Sequence, residues 1–398
     1  MLENDTNDAG ATAEARPGAV NRRSFMRAVG ATTSAAAVFS HVGVARAGNG
    51  WTMGLEGIPP EKLKEMYTLM LTSRLWEDGI KEVILSGKAG AIGSGHLSTG
   101  EEASAVGTIA ALNPDDYIAS NHRGHAHLIA KGGDLNKMSA EIFFKQTGYN
   151  KGFGGSMHMT DVSKGILGMN GIVGPSYLLA AGAAYSAKVR GTRQVAVAFG
   201  GDGAVNNGWY YSALRNAALY KLPLIAVIEN NGYQIAHRQE LTNSLVNLHD
   251  FGAGLEIPHE AANGMDALAV YAVAKRAVER ARAGGGPTLI ETKTYRFYDH
   301  SGLAGAKPGV LGAYGLPYRS DTELRAWLAE DPIPKMRAQL IAGGILTNAQ
   351  ADAIGAEIKT RVAQSIDFAQ KSPAPPRDAG LEHVFADAKV AATQFLKS

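Results

Sequence analysis

The chain has 398 residues, and its 39 Lys and Arg residues nearly balance 37 Asp and Glu residues, which gives a formal net charge of +2. No block of like charge interrupts the sequence, so nothing in it indicates binding to nucleic acid or to a membrane surface. The absence of cysteine excludes disulfide bonds, thiolate metal sites and a cysteine nucleophile. This size and composition agree with a soluble globular enzyme built around one large α/β domain.

Residues 1–47 resemble a bacterial twin-arginine export signal. Arg22 and Arg23 precede a weakly apolar, alanine-rich stretch at 28–39, and an Ala-x-Ala cleavage box follows at 45–47. The apolar stretch is too short and too polar to persist as a membrane-spanning helix. We therefore expect export to the periplasm, with a disordered leader on a cytoplasmic protein as the alternative.

A long amphipathic helix is predicted over residues 61–86. Leu63, Met66 and Met70 recur on one face of it, which indicates a helix packed against a core. A glycine-rich approach then leads to His96.

A β-α-β unit is predicted between residues 195 and 231. Residues 195–199 and 224–228 are short apolar runs rich in β-branched side chains, and 207–220 has helical periodicity. Because such a crossover makes the two strands parallel, Asp202 and Asn231 are expected at the same carboxyl edge of the sheet. Ligands of open α/β sheets bind at that edge.

This edge has the residues of a site for a metal ion and a diphosphate. The oxygens of Asp202 and Asn231 suit Mg²⁺ better than zinc or copper. Gly201 and Gly203 permit unusual backbone torsions and the close approach of a phosphate, whose charge suits the N-terminus of the next helix. Gly-Asp-Gly alone is equally typical of an ordinary β-α turn, and the specificity lies in the whole arrangement.

The β-α alternation continues with an amphipathic helix at 266–283 and a strand at 288–292, separated by Gly-Gly-Gly-Pro. The pattern predicts an α/β fold with a doubly wound, mostly parallel sheet over residues 48–320. Residues 321–398 are predicted to form a helical C-terminal extension. Within it Thr347 is an expected N-cap, 372–376 a proline-rich break, and the last 20 or so residues a tail helix.

Six further motifs accompany Gly-Asp-Gly and Asn-Asn, which are separated by 26 residues. They are HLSTGEEA (96–103), HRGHAH (122–127), TGYNKGFGGSMHM (147–159), GMNGIVG (168–174), GPTLIETKTYRF (286–297) and HS (300–301). Together they resemble the alpha subunit of the decarboxylating component of 2-oxo acid dehydrogenases, of the pyruvate and acetoin dehydrogenase type, over roughly three quarters of the chain. The resemblance implies the thiamine diphosphate-binding fold, with thiamine diphosphate and Mg²⁺ as cofactors.

The resemblance also implies individual roles. Mg²⁺ would be bound by Asp202, the Asn231 side chain and the Tyr233 carbonyl. The diphosphate would be contacted by Gly203, Ala204, His122 and Arg123, of which the guanidinium suits phosphate oxygens best. The aminopyrimidine would contact backbone groups of Gly171 and Val173.

His96 and His300 are implied to be catalytic, through proton transfer and stabilisation of charge, and His300 also to contact the cofactor. For His125 and His127 a structural role is as well supported as a catalytic one.

The resemblance implies an incomplete active site, because the glutamate that activates the aminopyrimidine lies on a separate beta subunit in this family. We therefore expect an α2β2 heterotetramer that decarboxylates a 2-oxo acid or cleaves an acetoin-like ketol, and passes the acyl group or electrons to an acceptor. The alternatives are a non-oxidative carbon-carbon lyase or carboligase subunit and a catalytically silent cofactor-binding subunit.

Three departures from the family pattern concern the substrate. Asp299 replaces a glycine before His-Ser, the loop at 302–317 is longer and rich in glycine and alanine, and residues 176–178 replace Gln-x-Pro. The longer loop is expected to be either a lid or a mobile surface segment. Export would also separate the protein from the family's usual lipoyl acceptor, which favours another electron acceptor or a non-oxidative reaction.

Overall fold

A computed structural model describes residue 55 and residues 57–87 and 95–382 of the chain. The predicted export segment, residues 1–47, lies outside these described residues, as does the tail beyond residue 382.

The central sheet has five parallel strands in the order β1-β2-β3-β7-β6. The strands are β1 (Tyr117–Ala119), β2 (Ala196–Gly201), β3 (Leu224–Asn230), β6 (His259–Asn263) and β7 (Thr288–Lys293), and a separate antiparallel ribbon pairs β4 (Tyr233–Gln234) with β5 (His237–Arg238). The predicted α/β fold with a mostly parallel sheet is confirmed. Strands β2 and β3 run further than predicted, because Gly201 still pairs with Glu229 and Asn230 with Lys293 in the ladder.

The helices lie on both faces of this sheet. They are α1 (Pro60–Leu85), α2 (Glu102–Ile109), α3 (His125–Ala130), α4 (Leu135–Ile142), α5 (Pro175–Arg190), α6 (Gly208–Leu219), α7 (Ala267–Arg282), α8 (Asp321–Leu328), α9 (Pro332–Ala342), α10 (Asn348–Lys371) and the short α11 (Ala379–Glu382). Those predicted at 61–86, 207–220 and 266–283 are present to within one residue at each end.

Side chains along β2 alternate between the two faces of the sheet, and each face has its own hydrophobic layer. Val195, Val197 and Phe199 belong to a core shared with α1, α3, α4, α7 and α10. Ala196 and Ala198 point to the opposite face, where the small side chains of α5 and α6 pack. Successive side chains of a strand therefore serve two separate hydrophobic layers, as a doubly wound sheet requires.

The C-terminal helices share the core of the α/β domain. Ile358 and Val362 of α10 pack in the same cluster as Trp76 and Ile80 of α1. Thr347 is the N-cap of α10: its hydroxyl accepts from the Gln350 N–H, and the Gln350 side chain accepts from the Thr347 N–H. This capping box confirms the predicted helix start.

Among the described residues, no helix combines the length and the apolar character needed to cross a membrane.

Candidate active site

A cavity of about 250 Å³ opens at the carboxyl edge of the sheet, beside the ends of β2 and β3. Eleven of its lining residues are those that the sequence predicted: His96, His122, Arg123, Gly171, Val173, Asp202, Gly203, Ala204, Asn231, Tyr233 and His300. They come from six separate stretches of the chain. The fold therefore gathers the whole predicted set around one space.

Asp202 has the environment of a cation ligand. It lies directly after β2 and is 3% exposed, and its Oδ2 atom has no hydrogen-bond partner among the described residues. Burial raises the pKa of this carboxyl group to about 6. A bound cation would supply the missing partner and favour the charged form.

Asn231 supplies a second oxygen directly after the neighbouring strand, β3. Its Nδ2 donates to Glu101 Oε1 at 3.0 Å, and its Oδ1 accepts from the Tyr233 N–H at 3.2 Å. The carboxylate and amide oxygens thus fit a hard divalent cation such as Mg²⁺.

Neither glycine beside Asp202 has an unusual backbone torsion, and only Gly203 lies where a side chain would meet a close neighbour. Gly203 has φ −72° and ψ −28°, which any residue adopts, and Gly201 is absent from the positive-φ positions of the described chain. The prediction of unusual torsions is therefore wrong. A Cβ atom on Gly203 would lie 2.9 Å from Cγ of Gln234, so the glycine is required by the close approach of that side chain.

Arg123 connects the two predicted catalytic segments. Its Nη1 donates to the Leu97 carbonyl at 2.6 Å and its Nη2 to the His300 carbonyl at 3.0 Å. Burial lowers the pKa of the guanidinium to about 10, while Glu101, 3.6 Å from Nε, opposes this shift. The residue remains a cation at neutral pH, and its charge faces the cavity.

Three imidazoles converge at one end of the cavity. The ring centroids of His96 lie 4.6 Å from His122 and 5.0 Å from His300. Burial, followed by the charge of Arg123, lowers the pKa of His96 to about 3 and that of His300 to about 4, and holds that of His122 well below its usual range. All three rings are neutral at pH 7.

His122 belongs structurally with the two predicted catalytic histidines. Both of its ring nitrogens are buried without a hydrogen-bond partner among the described residues. Its nearest rings are those of His96 and His300, at 4.6 and 5.5 Å, and its contact with the diphosphate stays a prediction.

The backbone of the GMNGIVG motif is fixed before any ligand binds. The Gly171 N–H donates to His158 Nε2 at 3.2 Å, and the Val173 carbonyl accepts from the Asn207 side chain at 2.9 Å. These two groups are therefore partly satisfied within the chain, although both residues line the cavity.

Two buried carboxylates that the sequence analysis missed hold the site together. Glu77 of α1 accepts from the Ser98 N–H and hydroxyl, from Thr99 Oγ1 at 2.6 Å and from His125 Nδ1 at 2.8 Å. Glu229 of β3 accepts from His127 Nε2 at 3.0 Å, from Ser104 and from Asn121.

Glu229 carried a signal, because it is a charged residue at the end of an otherwise apolar run, whereas Glu77 has charged neighbours in the sequence and carried none. Their histidine partners, His125 and His127, are 0% and 1% exposed and do not line the cavity, which favours a structural role for both.

The residues that depart from the family pattern make hydrogen bonds and packing contacts within the chain. Asp299 accepts from the Tyr318 hydroxyl at 2.7 Å, and Tyr177 donates to the Val227 carbonyl on the sheet at 2.9 Å. In the lengthened loop, Ala313 and Leu316 pack with Leu97, next to His96. The loop therefore forms a packed wall beside the histidines.

Comparison with known proteins agrees with this geometry. Residues 68–377 match the family model of the dehydrogenase E1 component. The chain is 49% identical over 240 residues to the alpha subunit of acetoin:2,6-dichlorophenolindophenol oxidoreductase of Bacillus subtilis, which covers 60% of this chain and 72% of that protein. It is 38% identical to the subunit of the same name from Cupriavidus necator, over 80% of this chain and 92% of that one.

A pyruvate dehydrogenase E1 component subunit alpha, from Porphyra purpurea, is 37% identical over 82% of this chain and 93% of its own length. The chain therefore belongs to the dehydrogenase E1 component family of thiamine diphosphate-dependent oxidoreductases, in which these relatives are alpha subunits.

Proposed function

We propose that this chain is the alpha subunit of a thiamine diphosphate- and Mg²⁺-dependent dehydrogenase that cleaves an acetoin-like ketol or decarboxylates a 2-oxo acid. The observation that carries the proposal is the single cavity that unites an unpaired buried carboxylate, a buried guanidinium and three neutral imidazoles. An acetoin-like ketol is the first choice, because the 49% identical relative is named for acetoin.

Asp202, Asn231 and the Tyr233 carbonyl would hold Mg²⁺. The unpaired Asp202 Oδ2 and the Asn231 amide oxygen support this assignment, since both are oxygen donors on adjacent strand ends. Gly203, Ala204 and Arg123 would face the diphosphate, where the N-terminus of a short helical turn at 204–206 and one cationic side chain favour an anion.

Thiamine diphosphate supplies a carbanion and an electron sink when bound. The neutral His96 and His300 would donate N–H hydrogen bonds to substrate oxygens and stabilise negative charge there. Their low pKa values mean that neither ring is in the imidazolium form, which would act as the general acid, at pH 7 in the free chain. A bound anion beside Arg123 would raise both pKa values and restore a general-acid role.

A beta subunit would complete the active site, in an α2β2 heterotetramer. The alpha-subunit names of the relatives support a partner chain. The family resemblance assigns to that partner the glutamate that activates the aminopyrimidine.

Export to the periplasm is also proposed, on the support of Arg22-Arg23 and the Ala-x-Ala box in the sequence. A folded alpha subunit would then travel with its cofactors, and a soluble electron acceptor would replace the lipoyl group. Cytoplasmic retention of a fusion of residues 1–50 to a reporter, in a host with a working twin-arginine pathway, would overturn this proposal.

The test of the function is co-purification of the chain with its beta subunit, followed by assays with acetoin and with pyruvate and an artificial electron acceptor such as 2,6-dichlorophenolindophenol. We expect acceptor reduction that requires added thiamine diphosphate and Mg²⁺ and that Asp202→Ala abolishes. Carbon-carbon cleavage without acceptor reduction would instead support the non-oxidative alternative.

Cofactor binding provides a readout besides activity. A ligand at one hundred times its Kd stabilises a protein by ~2.7 kcal/mol. We therefore expect Mg²⁺ plus thiamine diphosphate to raise the Tm of the wild-type complex and to leave that of the Asp202→Ala complex unchanged. A silent subunit that binds the cofactor would show the Tm shift without turnover.

A further inference from the structure

The three histidines at one end of the cavity have the arrangement of a metal site. One ring nitrogen from each of His96, His122 and His300 lies within 4.8 Å of the other two. Among the described residues, this is the only group of three or more His, Asp or Glu side chains whose ligand atoms converge in this way. The three residues come from separate stretches of the chain, so the tertiary fold produces the cluster.

Several ring nitrogens of the cluster have no partner within the described chain. They are His96 Nδ1 and both nitrogens of His122, all of which are buried. Arg123 Nη2 lies 3.4 Å from His300 Nδ1 and donates at the shorter distance of 3.0 Å to the His300 carbonyl. Because buried polar atoms are nearly always paired in folded proteins, unpaired nitrogens in such a cluster indicate that a ligand binds there.

The chemistry of the cluster selects the class of ligand. Imidazole nitrogen is a ligand of zinc, copper, nickel and iron, whereas Mg²⁺ prefers oxygen. Burial, followed by the charge of Arg123, lowers the pKa of all three rings, so each ring has a free nitrogen lone pair at pH 7. A metal ion therefore has no proton to displace. Because the three rings line the cavity, a fourth coordination position would face its open space, as in catalytic zinc sites.

The spacing and the charges around the cluster suit an ion that forms strong bonds to nitrogen. Two nitrogens on one tetrahedral Zn²⁺ lie about 3.4 Å apart, because each Zn–N bond is about 2.0–2.1 Å long. The spacing in the free chain reaches at most 4.8 Å, which small rotations of the rings would close. Arg123 repels a cation, and Glu101, 3.6 Å from its Nε, offsets part of that charge. An ion held by charge alone is therefore disfavoured.

We propose that His96, His122 and His300 bind Zn²⁺ or a similar divalent transition-metal ion, at a site separate from the proposed Mg²⁺ site, and that the bound ion inhibits turnover. Asp202 offers oxygen and is not a member of the histidine cluster. The ion would occupy ring nitrogens of both predicted catalytic histidines and withdraw them from the substrate. The binding rests on the geometry of the histidines, whereas the inhibition rests on the proposed function.

Co²⁺ tests the binding, because it absorbs strongly in the visible range when nitrogen ligands surround it tetrahedrally. The sample is the full chain, co-purified with its beta subunit and freed of metal by a chelator. We expect stoichiometric Co²⁺ to give this absorption in the presence of excess Mg²⁺, and added Zn²⁺ to abolish it.

Four variants locate the ion. His122→Phe and His300→Asn should each weaken Co²⁺ binding about tenfold or more, since even the loss of a group that only orients a metal ligand has an effect of that size. The control His237→Asn removes an exposed histidine and should leave binding unchanged, as should Asp202→Ala. His122→Phe keeps the shape of the ring and removes two unpaired nitrogens, so it should fold as wild type does. Circular dichroism and the Tm check the fold of each variant.

Zn²⁺ should also inhibit acceptor reduction by the wild-type complex at saturating Mg²⁺ and thiamine diphosphate, in parallel with its displacement of Co²⁺. A wild-type complex without the tetrahedral Co²⁺ spectrum would overturn the inference, as would unchanged spectra in folded His122→Phe and His300→Asn. Loss of the spectrum in Asp202→Ala would place the ion at the proposed Mg²⁺ site, and loss in His237→Asn would place it on the surface; either result overturns the inference.

Zn²⁺ binding without inhibition would overturn the inhibitory role. All of these results leave the proposed function standing. That function fails on a different measurement, namely a metal-free complex that reduces no acceptor when Mg²⁺ and thiamine diphosphate are restored, whatever its Co²⁺ spectrum.

Discussion

The side-chain amide of Asn231 donates a hydrogen bond of 3.0 Å to the carboxyl group of Glu101, which comes from the opposite wall of the cavity. The bond fixes the orientation of the amide. Its nitrogen is held by Glu101, and its oxygen lies on the side where the Tyr233 N–H donates to it. Glu101 thus positions a proposed Mg²⁺ ligand without being one.

Glu101→Ala is therefore expected to weaken Mg²⁺ binding about tenfold, the usual effect of removing a group that orients a metal ligand. Glu101→Gln should have a smaller effect, because its amide oxygen still accepts the hydrogen bond. Burial raises the pKa of Glu101, which reduces the cost of replacing it with the neutral glutamine. Mg²⁺ titration of the cofactor-saturated complex, followed by its Tm, measures the difference; equal losses in both variants would contradict this role.

Glu77 anchors the segment that carries His96, and Glu77→Ala is expected to lower the free energy of unfolding by about 3 kcal/mol, because it leaves several buried donors unpaired. Urea denaturation at pH 7 measures the loss. Glu61→Gln, on the same helix with its side chain 84% exposed, is the control and should change stability by less than about 0.5 kcal/mol. A loss no larger than that of the control would contradict the role of Glu77.

The same carboxylate gives a pH dependence. Burial raises the pKa of Glu77, but the hydrogen bond and charge of His125, together with Ser98 and Thr99, lower it below its usual value of 4.5. A carboxyl group with a lowered pKa in the folded state stabilises it above the unfolded pKa, and this stability is lost as the pH falls. We expect urea denaturation to show that wild type loses more stability than Glu77→Gln between about pH 6 and about pH 3.

The histidine cluster also makes the stability of the fold decrease as the pH falls, and it does so at higher pH than Glu77. His96 and His300 have pKa values of about 3 and about 4 in the folded chain, below the 6.5 of an unfolded one. The unfolded state therefore binds more protons as the pH falls below 6.5, and the folded state loses stability. His96→Asn should reduce the stability difference between pH 7 and pH 5 measured by urea denaturation. His237→Asn is the control, because His237 is exposed. If the free energy of unfolding changed equally between pH 7 and pH 5 in both variants, His96 would not be buried and neutral in the folded chain.

Arg74 connects α1 to the C-terminal helices through a buried ion triad. It donates to both carboxylate oxygens of Glu102, at 2.6 and 3.1 Å, and to both of Asp331, at 2.9 and 3.1 Å. Arg74→Met leaves two buried carboxylates without their cation, which should cost about 3–5 kcal/mol of the free energy of unfolding.

Arg337→Met provides the comparison in urea denaturation, because its partner Asp352 is 66% exposed and such pairs contribute less than about 1 kcal/mol. Similar losses of the free energy of unfolding in the two variants would show that the buried Arg74 triad contributes no more to stability than an exposed ion pair.

Much of the site could be predicted before the structure was known. Asp202 and Asn231 follow apolar runs whose parallel pairing follows from the helix between them, so their proximity was a consequence of chain topology. The capping box at Thr347 and Gln350 is equally local, since three residues separate the two side chains. The torsions of Gly201 and Gly203 were wrongly predicted, because neither has a positive φ, and Gly203 is instead constrained by the nearby Gln234 side chain.

The amino-acid sequence by itself determined the β-α alternation, the edge of the sheet that carries the site and the identity of eleven residues around it. These follow from local periodicity and from motif order, which the chain carries along its length. Only the tertiary structure decided that His122 joins His96 and His300 and that Glu77 holds His125 across 48 residues of sequence. Such contacts depend on how distant elements pack, and desolvation in the packed state sets the pKa values of the histidines.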